Sequence, residues 1–210
     1  MKNILVVKLS AIGDVIHALP VSYAIKETYP DAHLTWVVEP PAYPLLEGNP
    51  YIDELILFEK AKFRSIGGFL REYPPLRRRL RARRYDVSLD LQGLFKSAAI
   101  VYTAGAMERV GTANMREGAD RVSRPVRGPH AHGHIVERCL DVARAIGCHV
   151  DAVRFPLTVS DRDRMAAETL LQREGVPEGR TFAAFAVGAN WPNKRWPAEH
   201  FAALGDRLYE

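Results

Sequence analysis

The chain has 210 residues, 47% of them hydrophobic and 26% charged, an ordinary balance for a soluble globular protein of one large domain or one domain plus part of another. No apolar run reaches the roughly 18 residues that span a bilayer, and Lys2 leads straight into a strand with no signal peptide, so the expected compartment is the cytoplasm. A net charge of +4 favours anionic partners without choosing among them, and two cysteines, Cys139 and Cys148, read as buried or half-buried thiols rather than a structural disulfide.

The first element is the apolar run NILVV, the signature of a strand buried on both faces of a parallel sheet. It stops at a small-residue bend ending in Gly13-Asp14. A helical pattern follows to Thr28, with Pro20 expected to kink or restart it. AHLTWVVEP and DELILF read as the next strands, with a short Pro-punctuated helix between them. Pro74-Pro75 are placed in the first turn of a helix whose face carries Leu76 and Leu80. YDVSLDLQG is a fourth strand, LFKSAAIVYTAG a helix stopped by Gly105, and ERVG a short strand. The polar stretch TANMREGADRVSRPVRGPHAHGH is read as a long loop of functional or disordered character. IVERCLDVARAIG is an amphipathic helix.

Strand and helix patterns thus alternate, which predicts an α/β doubly wound parallel sheet with right-handed crossovers. After about residue 158 the pattern restarts. A helix capped by Ser160 or Asp161, a buried strand TFAAFAV, the loop GANWPNKRWP and a further helix follow. We read residues 1–158 as one domain and residues 159–210 as a linker and the start of a second, truncated α/β domain.

Ligands of such folds collect beyond the C-terminal ends of the strands. Asp14 lies there. It is either a helix cap or a base, since an ionised carboxylate at that place can take a proton from an attacking hydroxyl. SAIG has too few glycines for a dinucleotide fingerprint. The Gly188–Lys194 loop is either a tight turn or a phosphate site with Lys194 as point-charge partner.

The basic run from Lys60 to Arg84 is either a solvated helix face or an anion-binding face. It lacks the aromatic interleaving of a single-stranded nucleic-acid track, and no helix-turn-helix or zinc-finger spacing appears, so nucleic acid is not expected as a partner. An acidic membrane surface or a phosphorylated glycolipid fits it better. Lys96, just past a strand end, is a surface lysine or a charge aimed into the cleft of Asp14. Arg116 and Arg121 either close over an anionic substrate or lie in a disordered loop. The HAHGH histidines (His130, His132, His134) have no interleaved Cys, Asp or Glu, so no metal site is expected, and His134 is read as opening the next helix.

Taken together and in order, KLSAIGDVIHALP, WVVEP, LDLQGLFKSA, HIVERC and GANWPNKRWPAEHF resemble the family-9 glycosyltransferases, the lipopolysaccharide heptosyltransferases, along essentially the whole chain. WVVEP and DLQGLFKSA lean toward the type I members. The resemblance implies a GT-B architecture, two Rossmann-like domains facing each other across a cleft. The N-terminal domain would take the Kdo-bearing lipid A acceptor and the C-terminal domain the donor ADP-heptose.

The implied reaction is an inverting transfer of heptose that uses no metal or other cofactor. By resemblance, Asp14 matches the general base. Gly13, Gly188, Ala189, Asn190 and Lys194 match donor-binding positions, Lys194 neutralising the diphosphate as charge builds on it. Lys60, Arg64, Lys96, Arg116 and Arg138 fall to the acceptor side. Family members of type I often carry hydroxyl residues where Ala189 and Asn190 stand, and the later donor-binding segment of the family has no counterpart in this chain. The implied location is the cytoplasmic face of the inner membrane, held peripherally by anionic lipid. Two other readings stay open: a catalytically silent α/β module that binds an anionic glycolipid or nucleotide, and a different GT-B hexosyltransferase.

Overall fold

The structure is a computed structural model, which describes residues 1–189 and 191–209. The chain divides into two compact units, Met1–Thr158 and Val159–Glu210.

Unit 1 is built on a six-stranded, all-parallel sheet. In chain order its elements are β1 (Asn3–Val7), α1 (Ile12–Thr28), β2 (His33–Val38), β3 (Glu54–Leu57), α2 (Ile66–Leu80), β4 (Val87–Asp90), α3 (Phe95–Ala104), β5 (Glu108–Thr112), β6 (Arg124–Val126) and α4 (Ile135–Arg144). The strands lie in the order β3-β2-β1-β4-β5-β6, the doubly wound Rossmann order, which reverses direction between β1 and β4. Register is set at the centre by Val7 opposite both Val37 and Asp90.

The alternation of strand side chains explains why residues 4–7 of β1 are apolar throughout. Ile4 and Val6 pack with Leu34, Trp36, α1 and α4 on one face. Leu5 and Val7 pack with Ile56, Leu80 of α2 and Ile100 of α3 on the other. Trp36 is wholly buried, and its indole Nε1 donates to Lys8 O at 3.2 Å, which ties β2 to the end of β1.

Three expectations for this unit are corrected. Of the two outcomes expected at Pro20, a kink or a restart, the restart does not occur: α1 runs unbroken from Ile12 to Thr28. Pro74 and Pro75 stand in the interior of α2, not in its first turn. The helix starts at Ile66, where Ser65 Oγ accepts from Gly68 N at 3.1 Å. The carbonyls that lose their donors to the prolines belong to Leu70 and Arg71, both exposed residues, a setting in which solvent can replace the lost bonds. The long polar stretch is also not one loop. A turn at Ala119–Arg121 leads into β6, which pairs with β5 through Val110–Arg124 to Thr112–Val126. Pro125 is tolerated because β6 is an edge strand.

Unit 2 contains α5 (Asp161–Arg173), capped by Ser160 Oγ accepting from Asp163 N, and α6 (Ala198–Tyr209). The strand expected at TFAAFAV is absent. Among the described residues no neighbouring strand exists there to form a ladder, and residues 181–187 are exposed. Trp196 instead packs edge-on against Phe201, with ring centroids 4.8 Å apart. No helix among the described residues is long and apolar enough to cross a membrane.

Candidate active site

The loops leaving β1 and β4 meet where the strand order reverses, which is where such sheets open a crevice for ligands. Their backbones are stitched together. Gln92 Oε1 accepts from Leu9 N at 3.1 Å and from Ser10 N at 3.2 Å. Lys8 Nζ donates to Leu91 O at 3.0 Å. Gly93, at φ +67, lets the second loop turn beneath Met115, whose Cγ lies 3.0 Å from where a Cβ would stand. Arg116 N closes the loop by donating to Gly93 O at 2.8 Å.

Asp14 sits in the first turn of α1, half-buried. Its Oδ2 accepts from Ala11 N at 3.1 Å. The capping reading and the functional reading therefore share one geometry: the bond to Ala11 holds the carboxylate in place and occupies only one of its lone pairs. No ion pair engages Asp14 among the described residues. Gly13 precedes it with open space around its Cα.

Beneath the loops lies a group of charges. Burial pushes the Lys8 ammonium below the ordinary lysine value, against the pull of Cys139, Asp14 and Asp90, with Arg138 adding to the lowering. Burial likewise raises the Asp90 carboxyl, although Gly93 N, Ser97 Oγ and Gln92 N all donate to it. Arg138, on the first turns of α4, has its Nε buried without a hydrogen-bond partner among the described residues. Cys139 beside it is buried and its thiol is pushed up to about 11, so it stays protonated and inert at neutral pH. Cys148 is also buried and free, its thiol at about 11.

Lys96 reaches the same loop. Its Nζ lies 2.6 Å from Glu39 Oε1 and 3.2 Å from Ser10 Oγ, so it is neither a free surface lysine nor an unpaired charge. Arg116 is placed beside Gly93 by its backbone, with its guanidinium exposed and, among the described residues, in no ion pair. Lys60 and Arg64 lie apart, exposed on and just after the 3₁₀ turn Lys60–Phe63, and among the described residues neither bonds the Asp14 loop. Part of the basic run is a solvated, paired face: Arg79 and Arg83 meet Glu54 at 3.5 Å, and Arg71 meets Glu72.

In unit 2, Gly188 is exposed and Ala189 O accepts from Arg195 Nε at 2.7 Å. Lys194 closes the turn Pro192–Lys194 and is exposed. Asn190 lies outside the described residues. The histidine run does other work. His130 Nδ1 meets Asp141 Oδ1 at 2.9 Å, and His134 caps α4 by accepting from Val136 N.

Sequence reasoning missed Lys8, Glu39, Asp90 and Gln92. The signal for Lys8 was present: a lysine directly after a both-faces-buried strand is costly unless its ammonium has a partner. The other three needed the fold, because only the strand order brings Gln92 beside Ser10 and Asp90 opposite Val7, and only the folded chain brings Glu39 to Lys96.

The family model described as glycosyltransferase family 9 (heptosyltransferase) matches residues 75–210. Lipopolysaccharide heptosyltransferase 1 of Pseudomonas aeruginosa is 28% identical over 99% of this chain and 58% of its own length. Lipopolysaccharide heptosyltransferase 2 of Salmonella typhimurium is 30% identical over 98% of the chain and 60% of its own. The chain thus spans about three fifths of these relatives. Among solved structures, a family-9 glycosyl transferase from Veillonella parvula superimposes with a TM-score of 0.84 at 24% identity, over 99% of this chain and 60% of that one. The E. coli heptosyltransferase WaaC with ADP does so at 0.74 and 26%, over 98% of this chain and 64% of that one. The α/β fold is that of these GT-B-type enzymes, and the matched family region takes in the greater part of the sequence: the chain belongs to glycosyltransferase family 9.

Proposed function

We propose that this chain is the acceptor-side domain and the opening part of the donor-side domain of a heptosyltransferase, which moves heptose from ADP-heptose to the Kdo-lipid A inner core of lipopolysaccharide. Asp14 is the general base. It takes the proton of the acceptor hydroxyl as that oxygen attacks the anomeric carbon, and the bond to ADP breaks on the opposite face, inverting the centre. Lys194 offsets the charge gathering on the departing diphosphate, an electrostatic role that needs no metal or other cofactor. The turn at Gly13 and the loop at Gly188, Ala189 and Asn190 hold the donor. Lys96, Arg116 and Arg138 organise the acceptor end, with Lys60 and Arg64 further out against its anionic groups. The enzyme works peripherally at the cytoplasmic face of the inner membrane.

The observation that carries this reading is a carboxylate fixed by its own helix cap at the point where the sheet order reverses, with no ion pair to it among the described residues. A relative supports the donor: the E. coli heptosyltransferase WaaC has been solved with ADP and with ADP-2-deoxy-2-fluoro heptose. The test is transfer by the full-length protein from ADP-heptose to purified Kdo-lipid A, with the anomeric configuration of the product read by NMR. Transfer with inversion is expected. Acceptor binding without turnover would favour the silent binding module instead, and a retained configuration would remove the Asp14 mechanism.

A further inference from the structure

An apolar groove of about 250 Å³ opens between α2 and α3 in unit 1, lined by Phe58, Phe63, Phe69, Tyr73, Leu76 and Phe95. Its aromatic rings follow one another: Phe58 to Phe63 at 5.1 Å, Phe63 to Phe69 at 6.3 Å, and Phe69 to Tyr73 at 4.9 Å. These are costly residues to leave in water. Phe95 is 68% exposed and Phe69 45%, and Ile66 and Leu70 beside them are exposed as well. The surroundings are cationic. The turn that ends in Phe63 carries Lys60, and Arg64 follows it, both exposed and in no ion pair among the described residues. Lys96 lines the groove and at the same time bonds Ser10 of the Asp14 loop, so the groove begins where the catalytic loop ends.

We propose that this groove binds an acyl chain of the acceptor glycolipid. An almost wholly apolar trough of this volume suits one hydrocarbon chain, and unpaired cations beside it suit a lipid whose head carries negative charge. The inference rests on the acceptor reading above and deepens it. Sugar recognition at the Asp14 loop and chain recognition in the groove are joined through Lys96, so a chain in the groove contributes affinity to the ground state and leaves the chemical step alone.

The test uses synthetic Kdo-glucosamine acceptors bearing one linear N-acyl chain, from acetyl to decanoyl, below their aggregation concentration. Binding to the full-length protein is read by calorimetry, and transfer is read separately. Affinity is expected to rise by about fourfold for each methylene buried and then to level off once the groove is full. Phe95→Asp and Phe69→Asp, both at exposed positions, should flatten that rise while leaving binding of the acetyl acceptor unchanged. Chain-length dependence with no sugar transfer would sink the reaction and keep the groove. Transfer with no chain-length dependence, or a rise equally steep in both variants, would overturn the groove. So would a dependence seen only with acceptor embedded in vesicles, which assigns the patch to the bilayer. Self-association lost in the same variants, without chain-length dependence, would overturn it in favour of a second copy of the chain.

Discussion

The loop after β1 and the loop before α6 carry the chain's best-marked motifs, yet they are held very differently. The first is fixed from several sides. Gln92 clamps two of its amides, Lys8 ties it to the neighbouring strand end, and Trp36 bonds the carbonyl at its start. The second is held locally, by bonds among residues 189–195, in a unit where no described residue is fully buried. A motif names the residue types that chemistry needs. A laddered sheet with both faces covered is what fixes their positions, because each strand end is then located by its neighbours.

That contrast is open to direct attack. The largest expected effect is on stability. Trp36→Ala removes a wholly buried indole and should cost unit 1 about 3–5 kcal/mol in denaturant unfolding. Trp196→Ala, at a side chain 48% exposed, should cost no more than about 1 kcal/mol. Equal costs would erase the distinction between the units. Next is Lys194→Ala in the full-length enzyme, expected to lower kcat by about 10²–10³-fold if the residue meets the developing diphosphate charge. A purely structural lysine would leave kcat intact.

The smallest effect concerns Asp141. Burial alone would raise its carboxyl, but hydrogen bonds from His130 and Arg144 outweigh burial and hold it below the ordinary aspartate value. A depressed folded value stabilises above the unfolded one, near pH 4, and that stability is lost as pH falls through the folded value. Asp141→Asn should therefore cost about 1–2 kcal/mol at neutral pH, with the gap to the wild type narrowing in acid. A constant gap would mean that the cost is packing alone.

Much of the fold was readable because burial on two faces leaves plain marks. Residues 4–7 of β1 and 36–38 of β2 are apolar without alternation, and Gly105 stops α3 at φ +69 as a C-terminal glycine should. Other features were not readable, for physical reasons. β6 is three residues with a proline in the middle, admissible only at an edge that the strand order creates. α2 keeps two interior prolines where the residues whose carbonyls they orphan, Leu70 and Arg71, are exposed. The apolar pattern of residues 181–187 is a strand pattern, but a strand also needs a partner. In the site, Asp14 was visible as a carboxylate after a bend, whereas the Lys8–Asp90–Gln92 scaffold depends on residues more than 80 positions apart meeting across β1 and β4.

The most direct test of the whole account is the kinetics of Asp14→Asn in the full-length enzyme, with acceptor binding measured alongside. The amide keeps the shape and the acceptor oxygen for Ala11 N but cannot take a proton. The account predicts a fall in kcat of about 10²–10⁴-fold with acceptor affinity nearly unchanged. A variant that turns over at the wild-type rate, or one that loses acceptor binding and kcat together, would contradict it.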